Sequence, residues 1–556
     1  MAAVGAAPGA AGGGGASHWG RRVARAVAST LFDSPTYRWT LVGSKPRSVA
    51  RLPIDPWAGD PIQGGHIMQG ELRVAGDRVR VDGMWRMAVL PNSTLAAMHG
   101  FRWMRDLRAI GTPAAAAKAR QLVDEWLAIP PLWQPIAWRS DVLGDRLFAL
   151  LAHADWFAGS SDPAFDRRLL DGIAAGCRHL ARVASWELDG EGCIAAAKGM
   201  VAVGTSMVGA EGQIRRALRI LDRELPRQIA ADGGHLSRNP AAQGRVLAHL
   251  VEIRGALAGA RHPIPDSLTQ AIDRSAPLLR FFRHSDGGLA LFNGSREGEP
   301  KWLDTLLLHA DAKGRPPLSA PHTGFQRMVA EKTLVLVDTG LPPPRGYDRG
   351  AHAGALSFEM SIGKERLIVN CGAHPTGAGD WDLAQRATAA HSTLSIDDRN
   401  SAEIIAGRGI GRRPRHVTCD RREADGASLL ELSHDGYLHS HRVVHHRVLY
   451  LAATGDDLRG EDRLEGEAGR AFAIRFHLHP SIQVSVTQGG SAAFLRSPSG
   501  LAWRLRVAGA AVSLADSVYL GGRGDPRRTR QILLSGETGP EGAKVKWALQ
   551  REDRRG

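Results

Sequence analysis

The apolar period of this chain changes once, near residue 315, and that change limits the fold more than any other feature. From about residue 95 to 285 the period is helical. In DVLGDRLFALLAHADWF, Leu143, Leu147, Leu150, Leu151, Ala154 and Phe157 recur at steps of three and four, which places them on one helix face. RRLLDGIAAGCRHLARV repeats the device with Leu169, Ile173, Cys177 and Leu180, and short linkers carrying Pro, Gly or Asp favour antiparallel helix hairpins. Beyond the turn-rich GRPPLSAPHTG (residues 314–324), short β-branched runs take over, among them KTLVLVDTG, ALSFEMSI, ERLIVN, FAIRFHLHP and RQILLSG. Many short strands without alternating helices exclude a parallel α/β sheet. The expected fold class is α+β and multidomain, a helical domain followed by an antiparallel β-sandwich. The expected boundaries are an Ala/Gly-rich disordered tail over 1–45, a helical domain over 46–314 and a sandwich domain over 315–556.

At 556 residues the chain exceeds what one core supports, which agrees with two large domains. Its formal charge of +14 comes mostly from arginine, whose planar fork suits carboxylate, sulfate or phosphate. An acidic partner follows, such as a uronic-acid polysaccharide, a nucleic acid or an anionic membrane; an arginine-rich base composition explains the same count. Cys177, Cys193, Cys371 and Cys419 form no C-x-x-C pair, so neither a zinc ribbon nor a disulfide framework is indicated. The apolar run after Arg21, Arg22 and Arg25 is too short and interrupted for a convincing signal peptide, and no later run reaches the ~20 apolar residues of a membrane helix.

Several polar groups stand out against this background. In MHGFRWMRDLRAIG, Trp103 is placed to stack on a sugar face and Arg105 to meet an acid, although an aromatic core helix with surface ion pairs accounts for both. DGGHLSRNP (232–240) links two helices, and its adjacent glycines permit a tight path that presents His235, Arg238 and Asn239 together. In SDGGLALFNGS (285–295), Asn293 reads as a turn residue. On the sandwich side, His352 and His391 each open a strand, Asn370 ends the strand between them, and Arg386 lies nearby. Two histidines and an oxygen ligand make His352, Asn370 and His391 a zinc-ligand candidate set, and a neutral histidine equally suits proton transfer. DGY, ending in Tyr437, and the HHR and RFHLH motifs add further polar groups.

Together, HAGALSFEMS, ERLIVNCG, AAHSTLSID, DGGHLSRNP and GFRWMRDLRAIG resemble the heparinase II/III family of polysaccharide lyases, from about Met98 to the end of the chain. The resemblance implies an incomplete (α/α) toroid joined to a β-sandwich. It also implies β-elimination at a uronic acid: one group neutralises the carboxylate, another removes the C5 proton, and a third protonates the leaving oxygen. It implies no redox cofactor. His235, Arg238, Asn239, His352, Arg386 and His391 remain as the site set, with Tyr437 or Tyr347 as substitutes for the family's proton-transfer tyrosine, since Ala242 stands at that position and Gln243 at the histidine beside it. Glu191 and Gly192 occupy the places of an Asn-His pair, Gly350 that of a second histidine, and Asn370 that of a metal-binding Asp. The expected function is a lyase-like protein acting on an acidic polysaccharide. A noncatalytic glycan-binding relative is the alternative, and nucleic-acid binding stands lower for lack of a motif. The resemblance implies the cell envelope or periplasm, with a cytoplasmic location as the alternative; oligomeric state is not legible.

Overall fold

The structure is a computed structural model that describes residues 32, 34–43, 49–87, 89–128, 135–159, 162–188, 190–375, 379–487, 489–522 and 524–552. The Ala/Gly-rich tract expected to be disordered lies outside the described residues up to 31, whereas Pro35–Leu41 within the same span is helical. The chain divides into two compact units, one of residues 1–72 and 80–220, the other of 73–79 and 221–556.

The first unit is helical. Helix Pro163–Val183 starts where the Asp162 carboxylate accepts from the Ala164 and Phe165 amides at 2.9 and 3.0 Å with Pro163 in the first turn, and it buries the Leu169, Ile173, Cys177 and Leu180 stripe read from sequence. Helices Ser140–Ala152 and Glu191–Ser206 approach closely, since a Cβ at Gly199 would fall 2.6 Å from the Gly144 Cα. The small residues of CIAAAKG make this contact, and buried Lys198 in the same run pairs with Asp145 at 2.7 Å. No described helix is long and apolar enough to cross a membrane.

The second unit combines helices with the sandwich. Helices Pro240–Gly259, Asp266–Phe281 and Pro300–His309 precede the strands. One sheet of eight antiparallel strands runs in the order Val417–Ala424, Ala427–His434, Val443–Leu451, Asp457–Gly466, Ala543–Glu552, Ala502–Ala508, Ala492–Arg496, Gln483–Val486. The other sheet runs Ala511–Tyr519, Arg527–Glu537, Ala471–Leu478, Glu365–Val369, Phe358–Ile362, Thr333–Asp338, Phe325–Ala330, Ser319–Ala320, with Leu394–Ile396 also paired to Ala471–Leu478. Both sheets supply one apolar core, in which Phe358 and Phe476 of the second sheet pack on Trp547 of the first. The first sheet alternates as read, for example along Val443–Leu451, while Phe358–Ile362 is buried on both faces.

A buried polar cluster crosses between the sheets. Asp462 accepts from His445 Nε2, Arg447 Nε and Trp547 Nε1 at 2.7, 2.7 and 3.0 Å, and Arg447 reaches the Leu356 and Ser392 carbonyls of the opposite layer. His445 and Arg447 of the HHR motif are therefore structural. Leu291 joins Val369 and Tyr519 in a smaller cluster, and Phe282 and Phe292 pack on Phe325, so the helical part of this unit is continuous with its sandwich. The four cysteines are free thiols, three of them buried.

Candidate functional site

The DGGH turn is built by close approach. Gly233 has φ +88°, and a Cβ there would lie 2.0 Å from the Arg274 carbonyl oxygen. At Gly234 it would lie 1.8 Å from Thr323 Oγ1. Asp232 accepts from the Thr323 amide and hydroxyl, which pins the turn to the start of the sandwich. Gln243, at the family's histidine position, accepts from the His235 amide at 2.7 Å and donates to the Gly233 and Ser275 carbonyls. Its side chain holds the turn and leaves no group for chemistry.

From this turn the predicted residues part company. His235 is buried; its Nδ1 accepts from the Ser237 amide, its Nε2 faces Gln228 Oε1 at 3.3 Å, and its ring meets Tyr347 edge-on at 5.9 Å between centroids. Arg238, at φ +54°, donates to the Thr323, Gly324, Gly340 and Leu341 carbonyls and to Asp338, with Phe325 against its guanidinium. It is a brace. Asn239 caps helix Pro240–Gly259 through Oδ1, which accepts from the Ala241 and Ala242 amides at 2.8 and 3.1 Å. That use of Oδ1 turns the Nδ2 donor away from the helix.

His352 and His391 form a directional pair. His391 Nδ1 lies 2.8 Å from the Ala387 carbonyl, which only accepts, so the proton sits on Nδ1 and Nε2 carries a lone pair. His352 Nδ1, 2.9 Å from that lone pair, must then be the donor, which leaves His352 Nε2 unprotonated. This Nε2 is buried and has no hydrogen-bond partner among the described residues. A Cβ built on Gly294 would lie 3.7 Å from it and 3.4 Å from Asn239 Nδ2, so this acceptor and the Asn239 amide nitrogen flank the same glycine. Burial holds both imidazoles neutral: it drives His352 well below the ordinary histidine value, helped by His391 and Arg386, and brings His391 to about 4.

Asn293 assembles these parts. It is the turn residue expected, with φ +49°, but its Nδ2 donates to the Arg238 carbonyl at 3.1 Å and its Oδ1 accepts from the His352 amide at 3.1 Å. A side chain with both functions was invisible in the sequence, where Asn before Gly signals only a turn. Arg386 is buried and donates to the Ala351 and Gly409 carbonyls at 2.9 and 3.0 Å, fixing the backbone before His352.

Other expectations are corrected by the structure. Tyr437 lies in the sandwich core with its hydroxyl donated to the Leu394 and Arg399 carbonyls, and burial pushes its acidity well out of the useful range. It cannot exchange protons with a substrate. Trp103 is buried among Trp85 and Phe101 with Nε1 on the Met98 carbonyl, so no face is left for a sugar. Arg105, in the same helical unit, pairs with Asp55 at 3.0 Å. The zinc set does not fit either. The facing nitrogens of His352 and His391 are joined to each other, and Asn370 turns Oδ1 to the Ser392 amide at 2.9 Å. Among the described residues no three His, Cys, Asp or Glu side chains converge as a metal site would require.

Comparison with known proteins accords with this architecture. Residues 312–548 match the family described as Heparinase II/III-like, C-terminal. The chain is 32% identical over 547 residues to FtsZ-localized protein C of Caulobacter vibrioides, covering 94% of this chain and 93% of the relative. Its fold is similar to a crystal structure of heparinase III, with a TM-score of 0.73 at 14% identity over 93% of this chain and 88% of the other. It is also similar to the heparan sulfate lyase HepC from Pedobacter heparinus, with a TM-score of 0.60 at 14% identity over 96% and 91%. Motifs, fold and relatives agree: the chain belongs to the heparinase II/III family.

Proposed function

We propose that this protein recognises an acidic, uronate-containing polysaccharide through the lyase fold and does not cleave it. The observation that carries this reading is the state of the proton-transfer groups. Tyr437 is sealed in the core, Ala242 stands at the family's tyrosine position, and His352 Nε2 is buried in the folded chain. Elimination needs a base at the C5 proton and an acid at the leaving oxygen, each within hydrogen-bond reach. Asn239 Nδ2 retains the capacity to meet a carboxylate.

The test uses purified full-length protein and a panel of uronate polysaccharides. Binding without the ultraviolet absorbance of an unsaturated product is the expected result. Product formation overturns it in favour of β-elimination. That second reading draws on the placement of Asn239 Nδ2 and His352 Nε2 beside Gly294, with Tyr347 next to His235 as the acid. Absence of binding to every polysaccharide overturns both. A fluorescent fusion distinguishes envelope, periplasm and cytoplasm, and also asks whether this chain shares the localisation for which its Caulobacter relative is named.

A further inference from the structure

The loop GRRPRH, residues 411–416, carries a basic cluster that none of the family motifs explains. Its backbone is fixed by two carboxylates. Glu403 accepts from the Arg412 amide at 2.8 Å, and Asp435 Oδ1 accepts from the Arg415 and His416 amides at 2.8 and 3.1 Å. Both acids thereby face main-chain donors and make no ion pair with the Arg412 or Arg415 guanidinium. Arg412 donates to the Gly436 carbonyl, a neutral acceptor that does not cancel its charge. Arg413 is the exception, paired with Asp348 at 2.8 Å and held to the Pro343 carbonyl, with its Nε buried and without a partner. Arg415 is exposed, and among the described residues no carboxylate pairs with it.

The three arginines line a cavity of about 320 Å³ together with exposed His439, Gly436, Leu438 and Asp435, whose Oδ1 is turned to the Arg415 and His416 amides. Arg413 is shared with a second cavity of about 520 Å³ that reaches His235 and His322. Both volumes fall within the ~300–1,000 Å³ typical of ligand sites. The two hollows therefore share one lining arginine, and each presents cationic or imidazole groups. A guanidinium fork with unsatisfied N–H groups selects planar or tetrahedral oxyanions.

We infer that the Arg412, Arg413, Arg415 and His439 hollow is an anion subsite for a carboxylate or sulfate group of an acidic oligosaccharide whose chain continues past Arg413 into the cavity beside His235. This rests on the glycan-binding reading and names the residues that would read charge at a distance from Asn239. A chain long enough to fill both hollows binds more tightly than one that fills a single hollow.

Calorimetric titration of the full chain tests it, using uronate oligosaccharides of graded length with and without sulfate. The double variant Arg412→Gln/Arg415→Gln is expected to weaken the longer oligosaccharides about tenfold or more and to flatten their salt dependence, while leaving the shortest ones unchanged. Arg412→Lys/Arg415→Lys should recover part of the loss, and an unchanged melting temperature in both shows that folding is not the cause. Loss confined to sulfated chains assigns the subsite to sulfate, and equal loss assigns it to carboxylate. Wild-type binding that the double variant leaves intact overturns the subsite and spares the glycan reading. Failure of the wild type to bind any oligosaccharide overturns both.

Discussion

The Arg238 guanidinium donates to four backbone carbonyls and to Asp338, all within one compact unit and almost fully buried. Replacing it by Met strands the Asp338 charge, and breaking such a pair costs ~3–5 kcal/mol. Urea unfolding of Arg238→Met should show that loss. Buried histidines give a second prediction. Desolvation lowers His179 and His391 to about 4 and His477 to about 3, so the unfolded chain binds protons below 6.5 that the native chain refuses. Their stabilisation is complete above pH 6.5 and is lost as pH falls toward 4 and then 3. The free energy of unfolding from urea titration should therefore drop between pH 7 and 4 by on the order of a few kcal/mol for each of these histidines, with a shallower slope in His477→Gln; a flat wild-type profile contradicts the assignment. At this scale the sequence marked His352 and His391 as polar groups among apolar strands, and the two are buried against each other. It did not show which atoms were already engaged, because Arg238, Gln243 and Tyr437 are occupied by carbonyls from segments remote in sequence.

At the scale of elements, the DGGH turn is tied to Thr323 at the start of the sandwich and the Asn239 cap starts helix Pro240–Gly259 directly after it. Gly233→Ala puts a Cβ into the Arg274 carbonyl at positive φ, a strain of roughly 1–3 kcal/mol measurable by thermal melting. Gly255→Ala is the control: it lies inside the same helix with nothing within 4 Å of a new Cβ, and it should stabilise by about 0.5–1 kcal/mol. Asn293→Ala removes the bridge between Arg238 and His352; it should lower glycan affinity more than it lowers stability, read by titration beside a melt. The turn and its cap were legible, since Gly-Gly and Asn-Pro have local meanings. The bridge was not, because hydrogen bonds across 55 and 59 residues leave no periodic trace.

At the scale of the molecule, the sandwich strands begin at Ser319, whereas the compact unit that contains them runs from 221 and takes in 73–79. Periodicity reports local conformation; it does not report that Phe282, Leu291 and Phe292 would pack on sandwich residues. A fragment starting at 315 therefore exposes that surface and should aggregate, whereas one starting at 221 should run as a folded monomer or defined oligomer by size-exclusion chromatography. Net charge was also a partial guide. Arg238, Arg366 and Arg447 are buried against Asp338, Asp286 and Asp462, so each pair cancels and the excess of +14 is carried by the other residues. The histidine pair has a consequence of its own. Its hydrogen bonds all point one way and end on the Ala387 carbonyl, which has no proton to give and none it can pass on. A proton arriving at His352 would have no exit except the way it came, which makes the pair a terminus and not a conduit.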